Sequence, residues 1–382
     1  MTRPRAREFG LRIGLLDPGP HNAITDVPGV MVGHSTIIKG DGPLVVGKGP
    51  VRTGVTAVLP HGRSVFRQKC RAGISVINGF GKSVGLSQVE ELGLLETPIL
   101  LTNTLSVGSA LDALVEYMCI QNPEIGITTT TVNGVVGECN DGHLNDIQGR
   151  HVKREHVFSA LASAAGGPVE EGVVGGGTGM SCFGLKGGIG TASRVVSGPG
   201  YTYHLGALVL ANFGLVEYLT IGGVHVGAQL ASLGYGLAPP EPSRPTAGSS
   251  GDGGGSIIMV LATDAPLESR QVKRVARRAA FGLSRTGSFA SHGSGDYVFA
   301  FTTANTLDHF GDPSALRQEA LMRDDDPTLN RLFQASAEAV EESILNALFA
   351  ARTVTGRDNN TRQALPLDVI EDILVRHGRL SR

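Results

Sequence analysis

APPEPSRPTAGSSGDGGG, residues 238–255, runs directly into SIIMVLATD, residues 256–264. The first half has four prolines and then a Gly/Ser tract, so it cannot bury a core and reads as an exposed linker. The second half starts as a buried strand at Ser256, with no polar residue between the glycines and the apolar run. Taken alone, a Gly–Ser step after a linker is simply the start of a strand. The same step also suits a different chemistry. A serine can be activated by the amine of its own residue once it stands at a newly made N-terminus. Cleavage of Gly255–Ser256 would create one, and Gly255, lacking a Cβ, tolerates strained backbone that costs other residues roughly 1–3 kcal/mol.

Outward from that junction the pattern is layered. Between His34 and about Val226, short apolar runs bounded by Gly, Pro or Asn predict strands: GVTAVLP, GISVIN, PILLTNT, ITTTTVNGVV, TYHLGALVLANFG and LTIGGVHVG. Two helical patterns interrupt them. Residues 107–121 align Ala110, Leu111, Leu114, Val115 and Met118, and residues 154–165 align Val157, Ala160, Leu161 and Ala164. Downstream, Val272, Val275, Ala276, Ala279 and Leu283 mark one amphipathic helix, and DYVFAFTT, 296–303, a further strand. Leu329, Leu332, Phe333, Ala337, Val340, Ile344 and Leu348 form a long helical stripe, and a last helix begins near Pro366. Clustered strands and clustered helices fit an α/β sandwich with largely antiparallel sheets better than a βαβ repeat.

Composition excludes several classes. The 382 residues carry a formal charge of −2 with signs interspersed, so no nucleic-acid partner is expected. The four cysteines, Cys70, Cys119, Cys139 and Cys182, form no CxxC pair and read as buried free thiols. No HExxH is present, and His151 and His156 sit on a charged stretch, so no metal is expected. VVGGGTGM, 173–180, leads into SCFGLKGGIGTASRVV, which alternates like a strand rather than opening a helix; Lys186 in it lacks the Walker spacing, and no nucleotide cofactor is expected. There is no GxSxG elbow. The N-terminal apolar stretch is broken by Arg12 and ends at Asp17, and no run approaches the roughly 18 apolar residues of a membrane span, so the expectation is a cytoplasmic protein without a membrane partner. The 54 glycines show no fixed period and must serve turns and close backbone approaches.

Several long, ordered motifs carry a family resemblance: DVPGVMVGHSTI, GECNDGHLNDI at 137–147, GGGTGMSCFGLKGGIGTASRVV, VLANFG at 209–214, GGGSIIMVLATDAPL, RRAAFGLSRTGS, GSGDYVFAF and TVTGRD at 353–358. Over nearly its whole length the sequence resembles the β-peptidyl aminopeptidases and L-aminopeptidase/D-amino-acid esterases. The resemblance implies a four-layer αββα sandwich of the N-terminal-nucleophile kind. It also implies one catalytic domain over 1–382, self-processed into an α chain, 1–255, and a β chain, 256–382, and a homo-oligomer, commonly a tetramer of αβ units.

The resemblance implies roles residue by residue. Ser256 falls on the nucleophile. Asn212 falls on the asparagine that stabilises the oxyanion, a donor typically worth about 10²- to 10³-fold in rate, although as the end of a strand run it also suits a turn. Ser294 and Asp296 match the serine and acidic residue that hydrogen-bond around the nucleophile, and equally a polar turn. Glu138 resembles the glutamate that receives the substrate's terminal ammonium; a solvated loop carboxylate is the plain alternative. His143 stands where some members have a tyrosine near the oxyanion, and imidazole differs from phenol in reach and pKa. The implied activity is removal of small N-terminal L-, D- or β-residues from peptides, amides or esters. Two rival readings are a self-processing acyltransferase like the ornithine acetyltransferases, which usually place threonine at the new N-terminus, and an uncleaved non-catalytic homologue.

Overall fold

The computed structural model describes residues 3–198, 200–236, 255–311 and 316–381, so the linker read over 238–255 lies, apart from Gly255, outside the described residues. The strands that build the two main sheets are β1 (Met31–Lys39), β2 (Val51–Leu59), β3 (Gln68–Gly79), β4 (Leu94–Leu95), β5 (Ile99–Asn103), β6 (Val135–Cys139), β7 (Gly188–Gly198), β8 (Tyr201–Asn212), β9 (Ser256–Thr263) and β10 (Gly295–Asp308). One sheet has the order β1-β2-β5-β6 and the other β4-β3-β10-β9-β8-β7. Neighbours run antiparallel except β5 with β6 and β9 with β10.

Side-chain alternation stacks these sheets into four layers. Along β9, Ile257, Met259 and Leu261 face one core, whereas Ile258, Val260 and Ala262 face another, as a period of two requires. The second core lies between the sheets, where Ile258 and Val260 meet Ile99, Leu101 and Val135 of the smaller sheet. On the outer face of that smaller sheet, Leu100 and Val136 pack with α1 (Val107–Gln121) and α2 (Arg154–Ala162). The outer face of the larger sheet is covered by α3 (Ser269–Ala276), α4 (Ala279–Arg285), α5 (Pro327–Ala350) and α6 (Leu367–Arg376). The mixed α/β sandwich with largely antiparallel sheets is the architecture expected from the sequence.

Local differences have physical reasons. The single helix expected through Val272 and Leu283 is two, with the break at Arg277 and Arg278. In ITTTTVNGVV only the end is strand, because β6 starts at Val135; polar Thr128–Thr131 have no core to face. LTIGGVHVG forms a two-residue hairpin, Thr220–Ile221 with Val224–His225. Cys70, Cys139 and Cys182 are buried free thiols, while Cys119 is only partly buried. Among the described residues no helix is long and apolar enough to cross a membrane. The N-terminal stretch joins the body: Ala6, Leu11 and Ile13 are buried in the helix-covered core. Fully buried Arg194 binds Glu338 at 3.1 Å and Glu342 at 2.7 Å, and Arg7 reaches Glu342 at 2.8 Å, locking that stretch and β7 onto α5.

Helix α5 approaches β7 through a glycine. A Cβ on Gly190 would sit 1.9 Å from the Ser343 carbonyl oxygen and 2.6 Å from the Ala347 nitrogen. Both are helix backbone, so neither can rotate away. Gly190→Ala is therefore expected to lower unfolding free energy by about 1–3 kcal/mol or more through overpacking, measured by denaturant titration; an unchanged midpoint would show that α5 is free to shift.

Candidate active site

Three strand ends converge at one place in the larger sheet. The antiparallel register of β8 and β9 sets Asn212 opposite Ser256, and the parallel register of β9 and β10 sets Ser256 opposite Gly295. Ser256 is 7% exposed. Its hydroxyl donates to the Gly255 carbonyl oxygen at 2.7 Å, and the Gly295 N–H donates to the same oxygen at 3.1 Å. That N–H also lies 3.4 Å from Ser256 Oγ. The Gly255–Ser256 peptide is thus polarised by two donors at its carbonyl.

Gly255 is needed here for a reason other than the strained backbone expected from the sequence. It does not lie in the left-handed region; instead a Cβ would come within 2.5 Å of both the Asn212 oxygen and the Phe213 Cα. Only glycine lets this peptide lie flat against the end of β8.

Asn212 is oriented without ambiguity. Its Oδ1 accepts the Ser181 N–H at 2.8 Å and its Nδ2 donates to the Asn140 carbonyl at 3.1 Å, and backbone partners of fixed sense permit no amide flip. Ser294 and Asp296 form a buried pair in which the hydroxyl donates to Oδ1 at 2.6 Å. Burial pushes the Asp296 carboxyl up to about 6, against the opposing pull of the Ser294 hydroxyl and the Ile257 N–H. The turn before it is held by Asn78, whose Nδ2 reaches the carbonyls of Ser291 and His292, each at 3.0 Å, and of Ser294.

Glu138, next to last in β6, is 2% exposed. Its Oε1 accepts the Lys82 N–H at 2.7 Å and its Oε2 the Thr104 hydroxyl, which aims the carboxylate and removes it from the class of solvated loop acids. The Tyr297 hydroxyl accepts the Gly81 N–H at 3.1 Å and lies 3.0 Å from the Gly79 carbonyl, pinning the loop that carries Lys82. His143 is half-buried, and burial, with Arg362 and Arg357 adding, pulls its pKa down to about 4, so the ring is neutral at neutral pH. The ring makes none of the contacts that join Ser256, Asn212 and the Ser294–Asp296 pair. A cleft beside Ser294 is walled by Phe213, Leu215, Tyr218 and Phe289, the last two rings meeting edge-on at 5.2 Å.

The sequence reading missed the groups that hold these side chains. Asn78, the Lys82 N–H, Thr104 and the Ser181 N–H act across long stretches of chain, each from a different segment. Asn78 stands before a glycine in ISVING and reads as a strand boundary; only Lys186, a lone charge in a glycine run, offers a local signal.

Solved structures share this architecture. A protein of Pyrococcus horikoshii OT3 superposes with a TM-score of 0.90 at 52% identity, covering 99% of this chain and 100% of that one. The L-aminopeptidase D-Ala-esterase/amidase of Ochrobactrum anthropi, described as a prototype for the serine aminopeptidases and a new variant among the Ntn hydrolase fold, superposes with a TM-score of 0.87 at 38% identity, covering 99% and 100%. Fold and site define a serine aminopeptidase, a hydrolase of this sandwich type. The chain belongs to peptidase family S58, whose model matches residues 22–362. Among sequence relatives, the beta-peptidyl aminopeptidase of Sphingosinicella microcystinivorans is 45% identical over 99% of this chain and 93% of its own length. That of Sphingosinicella xenopeptidilytica is 42% identical over 98% and 92%.

The raised carboxyl gives a pH prediction. Above about 6 Asp296 is ionised and accepts the Ser294 hydroxyl in a charge-assisted bond; below it the carboxyl takes up a proton and the bond loses that charge. Aminopeptidase kcat/KM on alanyl p-nitroanilide is expected to fall as pH drops through about 6, and Asp296→Asn to lower the plateau and remove this limb. An unchanged acid limb in Asp296→Asn would assign it to another group.

Proposed function

We propose that the chain cuts its own Gly255–Ser256 bond and then uses Ser256 as an N-terminal nucleophile to release small N-terminal L-, D- or β-residues from peptides, amides or esters. The observation that carries this reading is the Gly255 carbonyl, which accepts both the Ser256 hydroxyl and the Gly295 N–H. In self-cleavage Ser256 Oγ adds to the Gly255 carbonyl carbon, the C–N bond breaks, and the Ser256 nitrogen takes the proton. Water then hydrolyses the resulting ester, leaving a Gly255 carboxylate and a serine with both hydroxyl and amine free. In turnover that amine accepts the hydroxyl proton as Oγ attacks the substrate carbonyl. Asn212 Nδ2 stabilises the oxyanion, the leaving amine departs with a proton, and water releases the acyl group. Ser294 and Asp296 orient the nucleophile, and Glu138 receives the substrate ammonium. His143, a neutral ring in this reading, contributes to the substrate-binding wall. No cofactor takes part.

The names of the Sphingosinicella relatives support acceptance of β-residues. The reading includes a cytoplasmic enzyme of one catalytic domain that assembles as a homo-oligomer of αβ units, and Leu15 and Ile127, 78% and 81% exposed, are apolar side chains such contacts would cover.

Denaturing electrophoresis is expected to show two fragments, 1–255 and 256–382, the second with the N-terminal sequence Ser-Ile-Ile-Met. Ser256→Ala is expected to abolish cleavage and turnover together. A new terminus at Ser249 or Ser250 would move the site, and an intact active chain would overturn the mechanism.

Glu138→Gln keeps shape and discards charge. Because a hydrogen bond to a charged group is worth about 1.5–3 kcal/mol, KM for alanyl p-nitroanilide is expected to rise about 10- to 100-fold while self-cleavage, which involves no external ammonium, proceeds. Comparing the free-amine substrate with its N-acetyl counterpart checks the assignment, and an undiminished preference for the free amine would return Glu138 to a purely structural role.

A further inference from the structure

Lys186 is a fully buried lysine in the hairpin after the glycine loop. Its ammonium donates to three backbone carbonyls, Gly177 at 3.0 Å, Met180 at 2.7 Å and Gly187 at 2.7 Å. Those bonds use all three of its protons. Its hydrogen bonds go to carbonyls and to no carboxylate, and burial pulls its pKa down to about 7 against the opposing influence of Cys182 and Asp141. A buried ammonium whose hydrogen bonds all go to neutral carbonyls is costly to keep. A purely space-filling role does not call for one.

The Met180 carbonyl and the Ser181 N–H are the two ends of one planar peptide group. Lys186 donates to the first end, and the second donates to Asn212 Oδ1 at 2.8 Å. Ammonium, peptide and side-chain amide therefore stand in series. Charge drawn toward Met180 O makes the Ser181 N–H a stronger donor, and charge drawn toward Asn212 Oδ1 makes its Nδ2–H a stronger donor in turn, the cooperative polarisation of a hydrogen-bonded chain in a low-dielectric interior. One Nδ2 proton goes to the Asn140 carbonyl. The other remains for a substrate oxygen beside Ser256.

We propose that Lys186 is a positioning residue that aims and polarises the Asn212 amide through the Met180–Ser181 peptide, so that its charge strengthens the oxyanion donor without touching substrate. The inference rests on the reading of Asn212 as that donor. It accounts for the long-range agreement between a lysine in one hairpin and an asparagine at the end of β8.

The test is a double-mutant cycle on processed enzyme with alanyl p-nitroanilide, using Lys186→Met, which nearly matches the side chain's shape without its charge, and Asn212→Ala. Lys186→Met is expected to lower kcat about 10- to 100-fold, a share of the 10²- to 10³-fold an oxyanion donor supplies, with KM within about twofold. Binding of 1-aminoethylboronic acid, which forms a tetrahedral adduct with the serine, should weaken by the same factor as kcat, whereas binding of alanine, the product, should not change. In the Asn212→Ala background the lysine substitution should add nothing. Equal losses in both backgrounds, or equal weakening of boronate and alanine, would overturn the proposal and leave Lys186 a structural residue. A normal rate in Asn212→Ala alone would instead overturn the reading of Asn212. Because removing a buried ammonium strands three carbonyls, a second variant replaces the Ser181 amide by an ester, which keeps the ammonium, deletes the N–H between Lys186 and Asn212 and leaves the Met180 carbonyl a weaker acceptor. It is expected to show the same loss in kcat at unchanged KM, and wild-type kcat in this variant would also overturn the proposal.

Discussion

β9 and β10 run in the same direction, and the site depends on that parallel pairing. An antiparallel partner would set the start of β9 against the end of its neighbour; the parallel one sets Ser256 against Gly295, two strand beginnings in register. Parallel neighbours cannot be joined by a tight turn and need a crossover, which α3 and α4 supply between Thr263 and Gly295. β8, antiparallel on the other side, brings its last residue, Asn212, to the same level. One sheet edge-on thus collects a hydroxyl, an amide and a backbone N–H from segments far apart in sequence, and no loop has to search for its position.

The carboxyls around this point are held differently because their surroundings differ. Glu138 is aimed by a backbone N–H and a hydroxyl, each donating to one of its carboxyl oxygens. Asp296 is buried at the start of β10, where burial outweighs its hydrogen bonds and raises its pKa. A carboxyl gripped by two donors is fixed in direction, whereas one raised to about 6 changes its hold on the neighbouring Ser294 hydroxyl as pH varies.

Much of this arrangement is legible in the amino-acid sequence. The continuous apolar run in SIIMVLATD marks a strand buried on both faces, whereas the Gly–Ser junction before it reads as more than a strand start only through the family resemblance. Asn212, Ser294 and Asp296, identified through the family resemblance, do sit together at neighbouring strand ends, although the resemblance does not say why. Less legible are the long-range supports. Asn78 closes a turn more than two hundred residues away, and Thr104 finds Glu138 only because β5 and β6 lie side by side. Such pairings follow from sheet order, which local periodicity does not encode. The threonine run at 128–131 misleads for the opposite reason: β-propensity is present without a neighbouring strand to pair with.

The order β4-β3-β10-β9-β8-β7 interleaves the chain on either side of Gly255. The two strands that follow it lie in the middle of the sheet, clasped by β3 and β8, which precede it. Severing that one peptide would alter covalent connectivity while leaving every ladder intact, and neither piece could leave without baring a sheet edge and two cores. The native molecule would stay a single body, but its unfolded state would become two molecules. Recovery after denaturation would then be a second-order encounter, and the measured stability would rise with protein concentration as it does for an obligate heterodimer.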